Sequence, residues 1–303
     1  MKYIFIMNPR AGAGTAGQTI RNGIEALAEK EDCQIYETKG VKDATAFVKQ
    51  WCADHPEEEV RFIACGGDGT LNEVINGAVG CPKASVTCYP CGSGNDFVKV
   101  NGLETFLDIP AIVHAEAKPI DLLKVGDNYS DNVVNFGFDT TVAITVNNDR
   151  AKTGHGSKNS YTKGIVKALI TSMKNTCTVK ADGEVLNPKG KALLCTVANG
   201  QYVGGSFKCA PRAELDDGWM EVCLVKPISR FRFVKLLGPY TNGQHLDDPQ
   251  FKDIIVYKRA KVVEVDAPEG FAYSLDGEII YENHFKIEIA PGAYGSQRRK
   301  RKV

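Results

Sequence analysis

The sequence predicts an α/β protein with two domains, a three-layer α/β domain on a parallel sheet followed by a mostly antiparallel β-sandwich. Three observations carry this. Strand-like and helix-like segments alternate through the first 120 or so residues, and Gly-rich loops follow the strand ends there. From about Ile120 the alternation gives way to short apolar segments set apart by Gly, Asn and Asp.

The elements follow in order. Tyr3–Met7 (YIFIM) is a buried strand, and behind its glycine loop Ile20, Ile24 and Leu27 recur at helical spacing. CQIYET (33–38) is a second strand, and Phe47, Val48, Trp51 and Cys52 mark one face of a second helix. VRFIAC (60–65) is the third strand, Leu71 to Val79 the third helix and SVTCYP (85–90) the fourth strand. Such alternation makes a parallel sheet covered on both faces, with ligands beyond the carboxyl ends of its strands. In the second half the strand candidates lie in 121–138, 191–200, 219–227, 254–267, 271–283 and 285–290. GIVKALITSMK (164–174) and FRFVKLLGPY (231–240) are the helices expected there. The first domain is set at 1–122, with 289–303 returning to it, and the β-rich domain at 123–288.

Composition narrows the function classes. The formal net charge is zero, which argues against a dedicated nucleic-acid binder. Arg298, Arg299, Lys300, Arg301 and Lys302 form a basic tail; setting those five aside leaves 32 of the 37 basic residues against 37 acidic ones. No segment approaches the roughly 20 apolar residues of a membrane span. Neither a signal peptide nor a cleavage site is apparent, so the ten cysteines read as reduced, mostly buried thiols of a cytoplasmic protein. Cys88-Tyr-Pro-Cys91 lacks the second pair that a zinc site needs.

Three loops carry the chemistry: NPRAGAGTAG (Asn8–Gly17), GGDGT (Gly66–Thr70) and PCGSGND (Pro90–Asp96). Glycine permits close backbone approach and positive φ, and a helix start offers unpaired N–H donors to an anion. Each loop alone reads as an ordinary turn, but three on one sheet edge make a phosphate cradle. Gly12, Gly14 and Gly17 also fit G-x-G-x-x-G, with Glu37 where a ribose-binding acid would sit. Asn8–Ala11 intervene before the first glycine, however, and a dinucleotide reading leaves the other two loops without a role. A P-loop is excluded, because no glycine precedes Lys and Ser/Thr at the required spacing. Asp68 beside a polyphosphate requires either a divalent cation or a hydroxyl proton to accept, and both belong to phosphoryl transfer. Thr70-x-x-Glu73 doubles as a capping box for the following helix.

GGDGTLNEVINGA, with NPRAGAG before it and GSGNDF, APRAELDDGWMEV (210–222) and SLDGEII (274–280) after it, resembles the bacterial diacylglycerol/lipid kinase family. That family shares its catalytic domain type with diacylglycerol, sphingosine and ceramide kinases. The resemblance implies ATP-dependent phosphorylation of a lipid hydroxyl in the cleft between a nucleotide-binding α/β domain and the β-rich domain. Diacylglycerol is the family's default acceptor, and phosphatidylglycerol, monoacylglycerol or a sphingoid base would use the same chemistry. Carried over, the nucleotide site comprises Asn8, Pro9, Arg10, Ala11, Gly12, Thr38, Gly66, Gly67, Asp68, Gly69, Thr70, Leu71, Asn72, Glu73, Ser93 and Asn95. Asp217, with main-chain oxygens of Glu214 and Trp219, would hold a structural Mg²⁺. Glu278 is the favoured general base, Asp276 stands beside it with a link to the catalytic Mg²⁺, and Asp68 is the other carboxylate able to take the proton.

Each landmark has a plainer reading. Asp216–Gly218 and Asp276–Gly277 are hairpin-turn signals, although a turn leaves Glu278 unexplained. Two rivals to the lipid kinase stand: a kinase of a soluble substrate such as NAD on the same loops, and a catalytically silent nucleotide or lipid sensor. The tail suits transient electrostatic contact with an anionic membrane, or simply solvation. An edge strand of either domain could pair across a homodimer.

Overall fold

The structure, a computed structural model, describes residues 1–11, 15–153 and 158–297. Gly12, Gly14 and the basic tail lie outside the described residues. The chain divides into two compact units, Met1–Leu122 with the segment from Pro291, and Leu123–Ala290.

The first unit runs β1 (Lys2–Met7), α1 (Thr15–Ala28), β2 (Cys33–Glu37), α2 (Asp43–Asp54), β3 (Val60–Gly66), α3 (Asp68–Ala78), β4 (Ala84–Pro90), α4 (Ile109–His114) and the start of β5 (Ala117–Val125), which continues into the second unit from Leu123. β1 pairs in parallel with β2 on one side and β3 on the other, and β4 continues beyond β3. All seven residues of β3 are buried, the apolar run expected of a strand covered on both faces. The order reverses at β1. Right-handed crossovers therefore put α1 opposite α2 and α3, and the loops after β1 and β3 meet at the switch point. Helix pairing is tight. A Cβ at Gly77 would lie 2.7 Å from Val48 of α2, and one at Gly23 of α1 would lie 2.5 Å from Ile109 of α4. Arg61 of β3, itself buried, donates to the carbonyls of Ile112, Val113 and Ala115 and so closes the carboxyl end of α4.

In the second unit follow β6 (Asn128–Ser130), β7 (Val133–Gly137), α5 (Phe138–Thr153), α6 (Lys158–Thr171), β8 (Asn175–Thr176), β9 (Thr178–Ala181), β10 (Glu184–Val185), β11 (Lys191–Ala192), β12 (Leu194–Ala198), β13 (Met220–Val225), α7 (Arg230–Thr241), β14 (Ile255–Ala260), β15 (Val262–Asp266), β16 (Ala272–Leu275), β17 (Glu278–Tyr281) and β18 (His284–Gln297). One antiparallel sheet has the order β14-β13-β12-β7-β16-β17, and facing it is β10-β9-β15-β18. Val134, Phe136, Val197, Val222 and Tyr273 of the first sheet share a core with Val179, Val263, Val265, Phe285 and Ile287 of the second, which makes a sandwich. The last residues of β18 belong to the first unit, where Ser296 pairs with Val86 of β4 and the Gly292 N–H donates to Asp121 at 2.8 Å.

Several elements depart from the sequence expectation. The run 254–267 is two strands in different sheets, β14 and β15, with Lys261 at the corner. Helix α5 was not expected, because Thr140, Thr141, Val142, Ile144, Thr145 and Val146 are β-branched. Phe138 and Val142, with Val146 beside them, pack against the sheet's outer face at helical spacing, and that burial overrides propensity. Helix α3 starts at Asp68 with Gly67 as its cap, so the Thr70–Glu73 capping box does not form. The Glu73 carboxylate instead accepts the Lys42 and Ala44 N–H groups at 2.9 and 3.3 Å, serving the start of α2.

Candidate active site

The loops after β1, β3 and β4 are fastened to one another. Asn8 donates from Nδ2 to Thr70 Oγ at 3.2 Å, while its Oδ1 accepts the Arg10 N–H at 3.0 Å. Asp68 Oδ1 accepts the Asp96 N–H at 2.6 Å and the Phe97 N–H at 3.5 Å, tying GGDGT to GSGND. The Cys91 N–H donates to Gly66 O at 2.8 Å. The glycines are required here by crowding rather than by positive φ. A Cβ on Gly92 would fall 2.4 Å from Gly67 Cα, one on Gly66 would fall 2.3 Å from Thr70 Oγ, and one on Gly94 would fall 2.7 Å from Asp68 Oδ2. Asn95 holds the third loop in a left-handed turn (φ 50°), exchanging two 2.9 Å hydrogen bonds with the Gly92 backbone.

This edge holds the start of α3. The Thr70 and Leu71 N–H groups both donate to Gly67 O, and the amides of Asp68 and Gly69 open the helix ahead of them. Ser93, Pro9 and Arg10 are exposed, and half-buried Thr38, whose N–H donates to Met7 O, ends β2 beside them. The Leu71 side chain is buried in the core, and that of Asn72 is buried and bonded to Asn76. These two, and Glu73 with its carboxylate at α2, belong to the scaffold of the loop.

In the second unit Asp276 (φ 46°) and Gly277 (φ 92°) form the two-residue turn between β16 and β17. The Asp276 carboxylate accepts from Ser130 Oγ and the Val133 N–H, both at 2.8 Å, and from the Asp131 N–H at 3.1 Å. Burial raises its pKa, and those hydrogen bonds oppose the rise. With three donors on it, this carboxylate is a fastening for the turn. Glu278, two residues on, is exposed at the start of β17. Asn147 of α5 donates to Gly277 O at 3.0 Å and secures the turn from its other side.

Asp217 accepts the Trp219 N–H at 3.0 Å and pairs through its other oxygen with Arg259, whose Nε lies 3.2 Å from the buried Glu221 carboxylate. The guanidinium lies 5.5 Å above the Trp219 ring. Exposed Glu214 precedes this turn. The donor set of one carboxylate and two carbonyl oxygens suits a hard cation in kind, while its charge is met here by Arg259. Among the described residues no three His, Cys, Asp or Glu side chains converge on a metal position. The described cysteines are free thiols, and burial pushes Cys91 up to about 11, so Cys88 and Cys91 are packed thiols.

Sequence reasoning missed a polar group behind the sandwich. Asn135, Thr196, Cys223 and Tyr257 lie in one cross-strand row on the outer face of the six-stranded sheet. Asp139, second residue of α5, enters the same region, and burial pushes its carboxyl up to about 6. The signal was present: NFGFD repeats the pattern of an apolar strand ending in glycine with an acid at the helix start, as in IACGGD.

Comparison with known proteins identifies the family. Residues 2–125 match the diacylglycerol kinase catalytic domain, and residues 132–295 match the YegS C-terminal NAD kinase beta sandwich-like domain. The chain is 30% identical over 240 residues to a "probable lipid kinase YegS-like" of Pseudomonas aeruginosa, covering 77% of this chain and 74% of that one. It is 29% identical over 222 residues to the diacylglycerol kinase of Bacillus subtilis, covering 72% and 70%. The crystal structure of a diacylglycerol kinase from Bacillus anthracis superposes with a TM-score of 0.73 at 21% identity, covering 100% of this chain and 98% of that one, which shows the shared fold. With both domain families matched in order along nearly its whole length, this chain belongs to the YegS-like, diacylglycerol kinase-type family of bacterial lipid kinases.

Proposed function

We propose that the protein transfers the γ-phosphoryl group of ATP to a lipid hydroxyl, with diacylglycerol giving phosphatidic acid and Mg²⁺ assisting. The fastening of GGDGT to GSGND through Asp68 carries this reading. It presents the first amides of α3 at the switch point of a parallel sheet, where a triphosphate is best received. Asn8–Ala11, Thr38, Gly66–Thr70, Ser93 and Asn95 surround the nucleotide. Asp68 and Asn95 act by holding the loops at the spacing the phosphates require.

Glu278 accepts the proton of the acceptor hydroxyl as its oxygen bonds to the γ-phosphorus and the bridging bond to ADP breaks. Asp276 fixes the turn that presents it. Mg²⁺, when bound, neutralises phosphate charge, and Asp217 with the carbonyls of Glu214 and Trp219 is the set for a structural ion. Labelled ATP with diacylglycerol in mixed micelles tests the assignment by thin-layer chromatography. Label in phosphatidic acid is expected. Label found only in a water-soluble product, as a kinase of NAD would give, overturns it.

A further inference from the structure

Glu37 ends β2 and takes no part in fastening the phosphate loops. It lies opposite Met7 of β1 in parallel register, and the next N–H, that of Thr38, donates to Met7 O at 2.9 Å. The residue therefore stands at the carboxyl end of the sheet, next to the strand that leads into Asn8–Ala11. Side chains alternate along a strand. Tyr36 stacks on Phe47 of α2 with ring centroids 3.7 Å apart, which turns Glu37 to the other face, where Arg21 of α1 pairs with it. The guanidinium holds Oε1, and no hydrogen bond among the described residues reaches Oε2. The side chain is 51% open to solvent.

The chain just beyond β2 is exposed yet fixed. Val41 is 85% exposed, more than any other large apolar side chain among the described residues. Lys42 follows in a left-handed conformation (φ 65°), its N–H donating to the Glu73 carboxylate at 2.9 Å, and Thr45 Oγ donates to Glu73 O at 2.9 Å. Helix α3, which opens with GGDGT, thus sets the height of this loop. On the other side of α3 the loop after β4 is fastened onto GGDGT through Asp68. A nucleotide with its phosphates at the start of α3 therefore extends over the end of β1 toward β2. In doubly wound parallel sheets an acid ending the second strand accepts hydrogen bonds from ribose hydroxyls. A carboxylate that receives hydroxyls rejects a ligand lacking them, whereas an apolar contact such as Val41 discriminates little.

We propose that the Glu37 carboxylate, positioned by Arg21, receives the ribose hydroxyls of the phosphoryl donor, and that Val41 covers its base. The donor is then a ribonucleoside triphosphate chosen by its sugar and hardly by its base. The proposal rests on the reading that the loops after β1 and β3 hold the donor's phosphates, and it adds what selects the donor. Calorimetry on the full chain, with Mg²⁺ and no lipid acceptor, compares ATP, 2′,3′-dideoxy-ATP and GTP. The wild type is set against Glu37→Ala, Arg21→Met and Val41→Ser. Glu37 and Val41 are exposed, and circular dichroism checks the fold of every variant.

The wild type is expected to bind ATP at least about tenfold more tightly than the dideoxy nucleotide. Glu37→Ala should bring ATP down to the affinity of the dideoxy nucleotide and leave the latter within about threefold. Arg21→Met, which keeps the carboxylate but releases it, should narrow the preference without abolishing it. GTP should stay within about tenfold of ATP in the wild type, and Val41→Ser should weaken all three nucleotides alike, by about threefold. A sugar preference that Glu37→Ala leaves intact overturns the ribose assignment and makes Glu37 a surface ion pair with Arg21. GTP affinity outside that range removes Val41 from the base. A wild type that binds no nucleotide overturns the donor reading and this proposal together, whereas nucleotide bound without regard to its sugar overturns this proposal alone.

Discussion

Replacing Asp139 by Asn should make the protein more stable at neutral pH, an unusual result for a polar substitution at a half-buried position near a helix start. The residue opens α5, where the helix field favours a carboxylate, yet burial outweighs that field and moves its pKa from 3.8 to about 6. A rise of roughly 2 units at about 1.4 kcal/mol per unit corresponds to roughly 3 kcal/mol. Because the folded pKa lies above the unfolded one, both states hold the proton below about pH 4 and no penalty exists there. Between about pH 4 and 6 the unfolded chain releases its proton first, and stability falls. Above about pH 6 the whole penalty is present. Asn has the same shape without the charge. Asp139→Asn should therefore exceed the wild type by up to about 3 kcal/mol at pH 7.5 and converge with it near pH 4. Urea unfolding followed by tryptophan fluorescence at pH 4, 5, 6 and 7.5 measures the difference. A difference that does not change with pH, or a variant less stable at pH 7.5, refutes the reasoning.

Three further outcomes follow from the site. Glu278→Gln, at an exposed position, should leave stability within about 0.5 kcal/mol and lower kcat at least about a hundredfold, measured with labelled ATP; unchanged turnover would take the general-base role away from Glu278. Gly92→Ala drives a Cβ to 2.4 Å from Gly67 Cα, so ATP affinity by calorimetry should drop at least about tenfold; retained affinity would remove the paired loops from the nucleotide site. Arg259→Met strips the buried Glu221 of its 3.2 Å partner and should destabilise by about 2 kcal/mol in the same urea assay, the exposed half of the guanidinium limiting the effect. A loss below about 0.5 kcal/mol would show that the pair is screened.

The parallel sheet was legible because its strands are short, largely apolar runs, each ending in or followed by a glycine-containing loop, and a periodicity of two or 3.6 is a local property of the chain. The corner at Lys261 was not, since VYKRAKVVEVD is one continuous strand pattern and only the pairing of β13 with Val256 and of β9 with Val265 divides it between sheets. Helix α5 was hidden for the complementary reason. Its β-branched residues disfavour a helix by a few tenths of a kcal/mol each, less than the burial of Phe138 and Val142 returns.

The candidate site divides in the same way. Residue types and spacing determined which loops carry the chemistry, because a phosphate cradle needs glycines and an acid next to one another in sequence. Only the tertiary structure decided what each side chain does there. It turned Asp68 toward the Asp96 amide, Glu73 toward α2, Asp276 toward residues 130–133 and Asp217 toward Arg259, all partners 28 or more residues away. A carboxylate's role is set by the donors that surround it, and those donors come together only when distant segments pack.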